Sequence, residues 1–100
     1  MRFVLASQAA FDLFEIWQYA KEQAGATTAN HVESAIRERI TFLAGSPEAG
    51  HHRKDLSDED VKFFPVYSYL IVNRPKTSPL QIASILHGRR DVGQLLKGRL

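Results

Sequence analysis

Cysteine is absent from the 100 residues of this chain, which excludes a disulfide framework, a thiolate metal site and a cysteine nucleophile. Long apolar runs are absent too. The longest, around "YLIV" (69–72) and "IASIL" (82–86), fall far short of the roughly 18 to 20 residues that cross a bilayer, so no membrane contact is expected. The opening "MRFVLASQAAFD" turns polar after a short apolar tetrad and lacks the apolar region of an export signal, which makes the cytoplasm the expected location. No repeat or low-complexity segment occurs. At 44% hydrophobic and 24% charged, 100 residues fit one domain, 1–100, with a single modest core.

Three common chemistries lack their residues. His51 and His52 are adjacent, which sends them to opposite sides of an extended chain, and no third ligand follows at a metal-site spacing, so neither metal nor cofactor is expected. Gly88 and Gly93 are spaced as in a phosphate-binding loop, yet Gln94 and Leu95 stand where its Lys and Ser/Thr belong. Ser84 sits in no nucleophile-elbow pattern and nothing links it to His87, so serine hydrolysis is not expected either.

Charge is present but unevenly placed. The formal net charge is only +2. Residues 1–50 carry four Lys/Arg against six acids, and residues 51–100 carry nine against five. From Asn73 onward Arg74, Lys76, Arg89, Arg90, Lys97 and Arg99 face Asp91 alone, which biases that surface toward an acidic partner, nucleic acid or protein.

Residues 2–5, "RFVL", read as a strand and Ser7 as the cap of a following helix. Over 8–24 the stripe Ala10, Leu13, Phe14, Trp17, Ala20 and Ala24 has helical spacing, and Gly25 ends the helix. A second helix, opened by Thr27 or Thr28, places Ala29, Val32, Ile36, Ile40 and Leu43 on one face and the Glu33/Arg37 pair on another, and Gly45-Ser46-Pro47 stops it. Period-2 patterning then predicts strands over 61–66, 68–74 and 79–87, with a turn at Tyr67-Ser68 and Pro65 near an edge. The expected fold is α+β: β-α-α-β-β-β, a small antiparallel-dominated sheet packed on a two-helix hairpin, with a short C-terminal helix.

Two segments hold candidate chemistry. In the turn-rich segment 45–60, His51, His52, Arg53 and Lys54 read as a solvated basic loop facing Asp58-Glu59-Asp60, with direct anion contact as the alternative. In "ILHGRRDVGQLL" (85–96), Asp91 with Gln94 three residues later forms a capping box for a helix ending at Gly98, and Gly88 suits the turn before it. His87 is the best acid/base candidate. Arg89 and Arg90 can hold phosphate or carboxylate through paired hydrogen bonds. By their spacing Phe11, Phe14, Trp17, Phe63 and Phe64 are assigned to the core, while Tyr67 and Tyr69 stay open.

Taken in order, "SQAAFDLFEIWQYA", "SPEAGHHRKDL", "FFPVYSYLIVNRP" and "LQIASILHGRRD" resemble the RelE/ParE superfamily of toxins from type II toxin-antitoxin operons, over nearly the whole chain. Within it, "ILHGRRD" is more similar to the ParE branch, which poisons DNA gyrase, than to the RelE branch, which cleaves messenger RNA on the ribosome. The resemblance implies a gyrase inhibitor without turnover of its own, held in a hetero-oligomer by a cognate antitoxin with an acidic C-terminal segment. Residues implied for target or antitoxin contact are Arg89, Arg90, Arg74, Tyr69 and Lys97. In the alternative, a ribosome-dependent mRNA interferase, Arg90 matches the arginine after the last strand, with Arg53, Lys54 and Lys62 as further cations and His87 as a possible acid/base group. The tyrosine such nucleases carry near the C-terminus falls at Leu95 or Leu96 here, and Asn73 replaces another late in the central strand. A third reading is an inactive corepressor module bound to its antitoxin.

Overall fold

The computed structural model describes residues 2–100. In chain order the elements are β1 (Phe3–Leu5), α1 (Ser7–Ala24), α2 (Ala26–Gly45), a 3-10 turn (Pro47–Ala49), β2 (Lys62–Val66), β3 (Tyr69–Arg74), β4 (Leu80–His87) and α3 (Val92–Lys97). The sheet order is β1-β4-β3-β2; β1 runs parallel to β4, and the other neighbours are antiparallel. This is the expected α+β architecture, with strand bounds within one residue of those predicted. Pro65 falls in β2, an edge strand, where a missing N–H is tolerated.

Because successive strand residues point to opposite faces, each strand feeds two apolar layers. On one face Leu13 and Ile16 of α1 and Ile36, Ile40 and Leu43 of α2 meet Ile71, Ile82 and Ile85. On the other, Val92 and Leu96 of α3 cover Val61, Phe63, Val72, Ala83 and Leu86. Burying an aliphatic side chain contributes about 1.5–3 kcal/mol, so those two residues hold a helix too short to form alone. A Cβ at Gly93 would lie 3.3 Å from the Leu56 carbonyl oxygen; glycine there lets α3 lie directly against that turn.

The face of α1 differs from the prediction. Its buried residues are Ala9, Asp12, Leu13 and Ile16, a stripe rotated by about 100°, one residue, from the Ala10-Phe14-Trp17 stripe. An acid inside the true stripe conceals it from hydropathy. Phe11 and Phe14, assigned to the core from sequence, are 54% and 56% exposed. Trp17 is half-buried and donates from Nε1 to Asn30 Oδ1 at 2.9 Å. Neither helix uses the side-chain cap expected of it: Ala6 precedes α1, and Gly25, at φ 91°, joins α1 to α2 without a loop, so Ser7 and Thr27 or Thr28 lie inside the helices.

Two further irregularities shape the sheet. Val72 pairs with Ser84 and Asn73 with Ile82, which leaves Ala83 as an extra residue in β4, a β-bulge. Asn73 is fully buried, and neither polar atom of its amide has a partner among the described residues. Asn73, which replaces a tyrosine late in the central strand, is thus enclosed within the inner strand β3.

Candidate functional site

β1 is three residues long and pairs with β4 only at Leu80, Gln81 and Ile82. Among the described residues β4 has no strand on that side from the bulge onward, and an exposed row of peptide groups needs other partners. Asp12 supplies one: its Oδ2 accepts from the Ile85 backbone N–H at 3.0 Å. The same oxygen accepts from Arg99 at 2.8 Å, and that guanidinium also reaches Ser84 Oγ at 3.3 Å. Gln8 Nε2 donates to the other Asp12 oxygen at 3.2 Å. Arg99, following the helix on the far face, thus crosses the open edge of β4 and clasps α1.

Beside this clasp an open groove of about 580 Å³ lies between α1 and the end of the sheet. Its walls include Glu15, Ile16 and Tyr19 of α1, Tyr67 and Tyr69 from the β2–β3 hairpin, and Ile85, His87 and Arg90. Three of these come from strand chemistry. The two-residue turn Tyr67-Ser68 closes the Val66–Tyr69 pair, with Tyr67 at φ 52°, in the left-handed region that a non-glycine residue rarely adopts. Tyr69 and His87 are cross-strand partners and meet edge to face, with ring centroids 5.4 Å apart. Burial pushes the Tyr69 phenol above its ordinary pKa, and the neighbouring Tyr19 adds to the shift.

The strand-to-helix corner is held by its own backbone. His87 Nδ1 accepts from the Arg89 N–H at 3.1 Å, which places the neutral ring's proton on Nε2. The His87 carbonyl accepts from the Arg90 N–H at 3.0 Å. Asp91 caps α3 through the Gln94 N–H at 3.3 Å, the half of the predicted capping box that forms. Arg89 and Arg90 are left exposed, and Arg90 reaches the groove.

The remaining sequence candidates are dispersed. Arg53 donates to both oxygens of Asp55, at 3.0 and 2.7 Å, and those hydrogen bonds hold the Asp55 carboxyl below the usual carboxylate range. The acidic run meets a different cation, with Asp60 3.3 Å from Lys76; the basic loop does not face it as expected. His51 instead forms an isolated antiparallel bridge to Phe63, and His52 Nδ1 lies 3.2 Å from the Val61 carbonyl oxygen. Lys62 Nζ donates to the Glu48 carbonyl at 3.3 Å. Lys54 and Lys97 line a second, smaller groove of about 350 Å³ beside α3. Arg74 ends β3, at the opposite end of that strand from Tyr69.

The structure therefore brings together Tyr69, His87 and Arg90 and separates them from Arg53, Lys54, Lys62, Arg74 and Lys97. Asp12, Arg99, Tyr19 and Glu15 were missed by sequence reasoning. For Asp12 a signal exists, an acid set among Ala9, Leu13 and Ile16 at helical spacing; for the others none does.

The chain folds as a two-helix hairpin on a four-stranded mixed sheet, with a basic corner after the last strand. It is similar to a chain of a solved structure described as a chromosomal ParDE TA system from P. aeruginosa, with a TM-score of 0.72 and 22% identity, covering 87% of this chain and 95% of that one. Residues 3–92 match the profile of the ParE toxin of type II toxin-antitoxin system, parDE, and the chain belongs to that family. No curated protein sequence matches it.

Proposed function

We propose that this chain is the toxin of a ParDE-type pair that arrests growth by inhibiting DNA gyrase, and that a cognate antitoxin with an acidic C-terminal segment neutralises it. The observation that carries this reading is the dispersal of its cations. Cleaving RNA requires a base for the 2′-hydroxyl, positive charge on the phosphorane and an acid for the leaving oxygen, all around one phosphate. Among the described residues Arg90 is the one lysine or arginine lining the groove that holds His87 and Tyr69. The exposed Arg89 and Arg90 instead suit recognition of an acidic surface.

The purified protein is expected to inhibit supercoiling by gyrase and to accumulate cleaved DNA, and its expression to induce an SOS response. Normal gyrase activity together with codon-dependent messenger cleavage on ribosomes would overturn the assignment. That nuclease reading is favoured by one observation, the convergence of His87, Tyr69 and Arg90 on a single groove. It predicts that cleavage is abolished in Arg90→Ala and in His87→Ala. Unimpaired growth on expression without the antitoxin would point to the corepressor module instead.

A further inference from the structure

The outer side of the helical hairpin carries apolar surface that the fold leaves uncovered. The rotated stripe of α1 puts Asp12 inside and turns Ala10, Phe11 and Phe14 outward, and both phenylalanines keep more than half of their surface exposed. Beside them a groove of about 370 Å³ runs between the two helices, walled by Leu5, Ala10, Leu13, Phe14 and Trp17, with Glu33 and Arg37 on the α2 side. Each buried aromatic ring withdraws about 150–250 Å² from water, so covering this pair is favourable.

Charge decides which kind of partner fits. Glu33 and Arg37 pair with each other at 3.2 Å, and the Lys21 ammonium sits 5.2 Å from the centroid of the Trp17 ring. Glu15 is turned to the opposite flank of α1, into the groove that holds Tyr19. The surface between offers no counter-charge to an acidic or a basic partner. A second copy of the same surface meets no like charge at its centre, and each ion pair is already satisfied within its own copy. The shape is self-complementary as well. Phe11 and Phe14 lie one turn apart and form a ridge, the groove runs alongside it, and Ala10 leaves room for two helix axes to approach to about 8–10 Å. Across a twofold axis with the two α1 helices antiparallel, the rings of each copy enter the groove of the other, as an isologous contact requires.

We propose that two copies of the chain pair through these α1 faces to form a homodimer. The four phenylalanine rings, each about half exposed, together withdraw roughly 300–500 Å². With Trp17 and the flanking residues of α2 the interface reaches roughly 1,000 Å², the lower bound of specific contacts. The dimer is accordingly weak, with a dissociation constant on the order of tens of micromolar. The groove with Tyr69, His87 and Arg90 lies on the other flank of α1, so pairing presents two copies of it and does not depend on the toxin reading.

Sedimentation velocity of the purified full chain tests this, over concentrations from about tenfold below to about tenfold above that constant. The sedimentation coefficient is expected to rise from the monomer value toward that of a dimer. Phe11→Asp and Phe14→Asp, at exposed positions, are expected to weaken pairing by about tenfold or more. Phe42→Ser, at an exposed apolar residue outside this face, leaves it unchanged, and circular dichroism verifies that each variant folds. Because the chain has no cysteine, a bifunctional thiol reagent should join copies through Ala10→Cys and not through Phe42→Cys. A chain that stays monomeric throughout, or a dimer that neither phenylalanine substitution disturbs, overturns the pairing. An unsubstituted chain that stays monomeric but loses binding to the antitoxin encoded beside it, or to vesicles of anionic phospholipid, on Phe11→Asp assigns the face to that occupant instead.

Discussion

Replacing Asp12 with alanine tests the clasp that closes the β4 edge. The carboxylate is 5% exposed and Arg99 is 17% exposed. Its loss strands the Ile85 N–H, about 1–3 kcal/mol for a buried unpaired donor. It also leaves the Arg99 guanidinium with Ser84 Oγ as its remaining partner, and breaking one side of a buried ion pair costs about 3–5 kcal/mol, a figure that already contains part of the first. The expected total is about 3–5 kcal/mol, a large fraction of the roughly 5–15 kcal/mol that holds a domain of this size. Arg99→Ala is expected to cost less, about 2–3 kcal/mol, because Asp12 keeps the Ile85 N–H and Gln8. The double substitution should then fall short of the sum by about 1–3 kcal/mol. Urea unfolding followed by circular dichroism measures each loss as a lower midpoint at unchanged slope. A cost below about 1 kcal/mol for Asp12→Ala, or additivity within about 0.5 kcal/mol, would refute the clasp.

Three other outcomes are expected. Asn73→Val should raise stability by roughly 1–2 kcal/mol, since it removes two unpartnered polar atoms from the interior; a loss measured by the same unfolding assay would mean that a buried water satisfies them. Tyr67→Asn should stabilise by about 1 kcal/mol through relief of the left-handed backbone, unless the ring's packing outweighs the strain, which a lower melting temperature would reveal. Tyr69 has a folded pKa raised above its unfolded value, so the folded state holds its proton more tightly. The corresponding stability is complete below the ordinary tyrosine range, about pH 10, and is lost as pH rises from there through the folded pKa. Alkaline unfolding of Tyr69→Phe should therefore show a shallower decline than the parent, and identical profiles would contradict the shift.

The sheet was legible because its strands carry dense β-branched and aromatic residues between clear turn residues, as in "YLIVNRPKTSPLQIASIL". The α2 face was legible for a similar reason, as no polar residue interrupts Ala29, Ile36, Ile40 and Leu43. The α1 face was not, because burial of Asp12 depends on Arg99, 87 residues away, and no local pattern encodes that. His87 and Arg90 stood out by residue type and position after a strand. Their neighbour Tyr19 did not, because which helix faces the end of the sheet is decided by the bulge and by the shortness of β1, both invisible to periodicity. The loop cations illustrate the opposite error: Arg53 and Asp55 pair across two residues, whereas the acidic run three residues further on was the more conspicuous partner.

Asp12 and Arg99 lie 87 residues apart, so the clasp is a contact of high sequence separation. Until the two meet during folding, the β4 edge lacks its guanidinium clasp and the Asp12 carboxylate has no counter-ion to be buried with. Closure of this sheet edge is consequently a late event in folding, because it waits for a long loop to close. A chain in which the clasp is broken keeps its four strands and both long helices but has an unsecured edge open to aggregation and proteolysis.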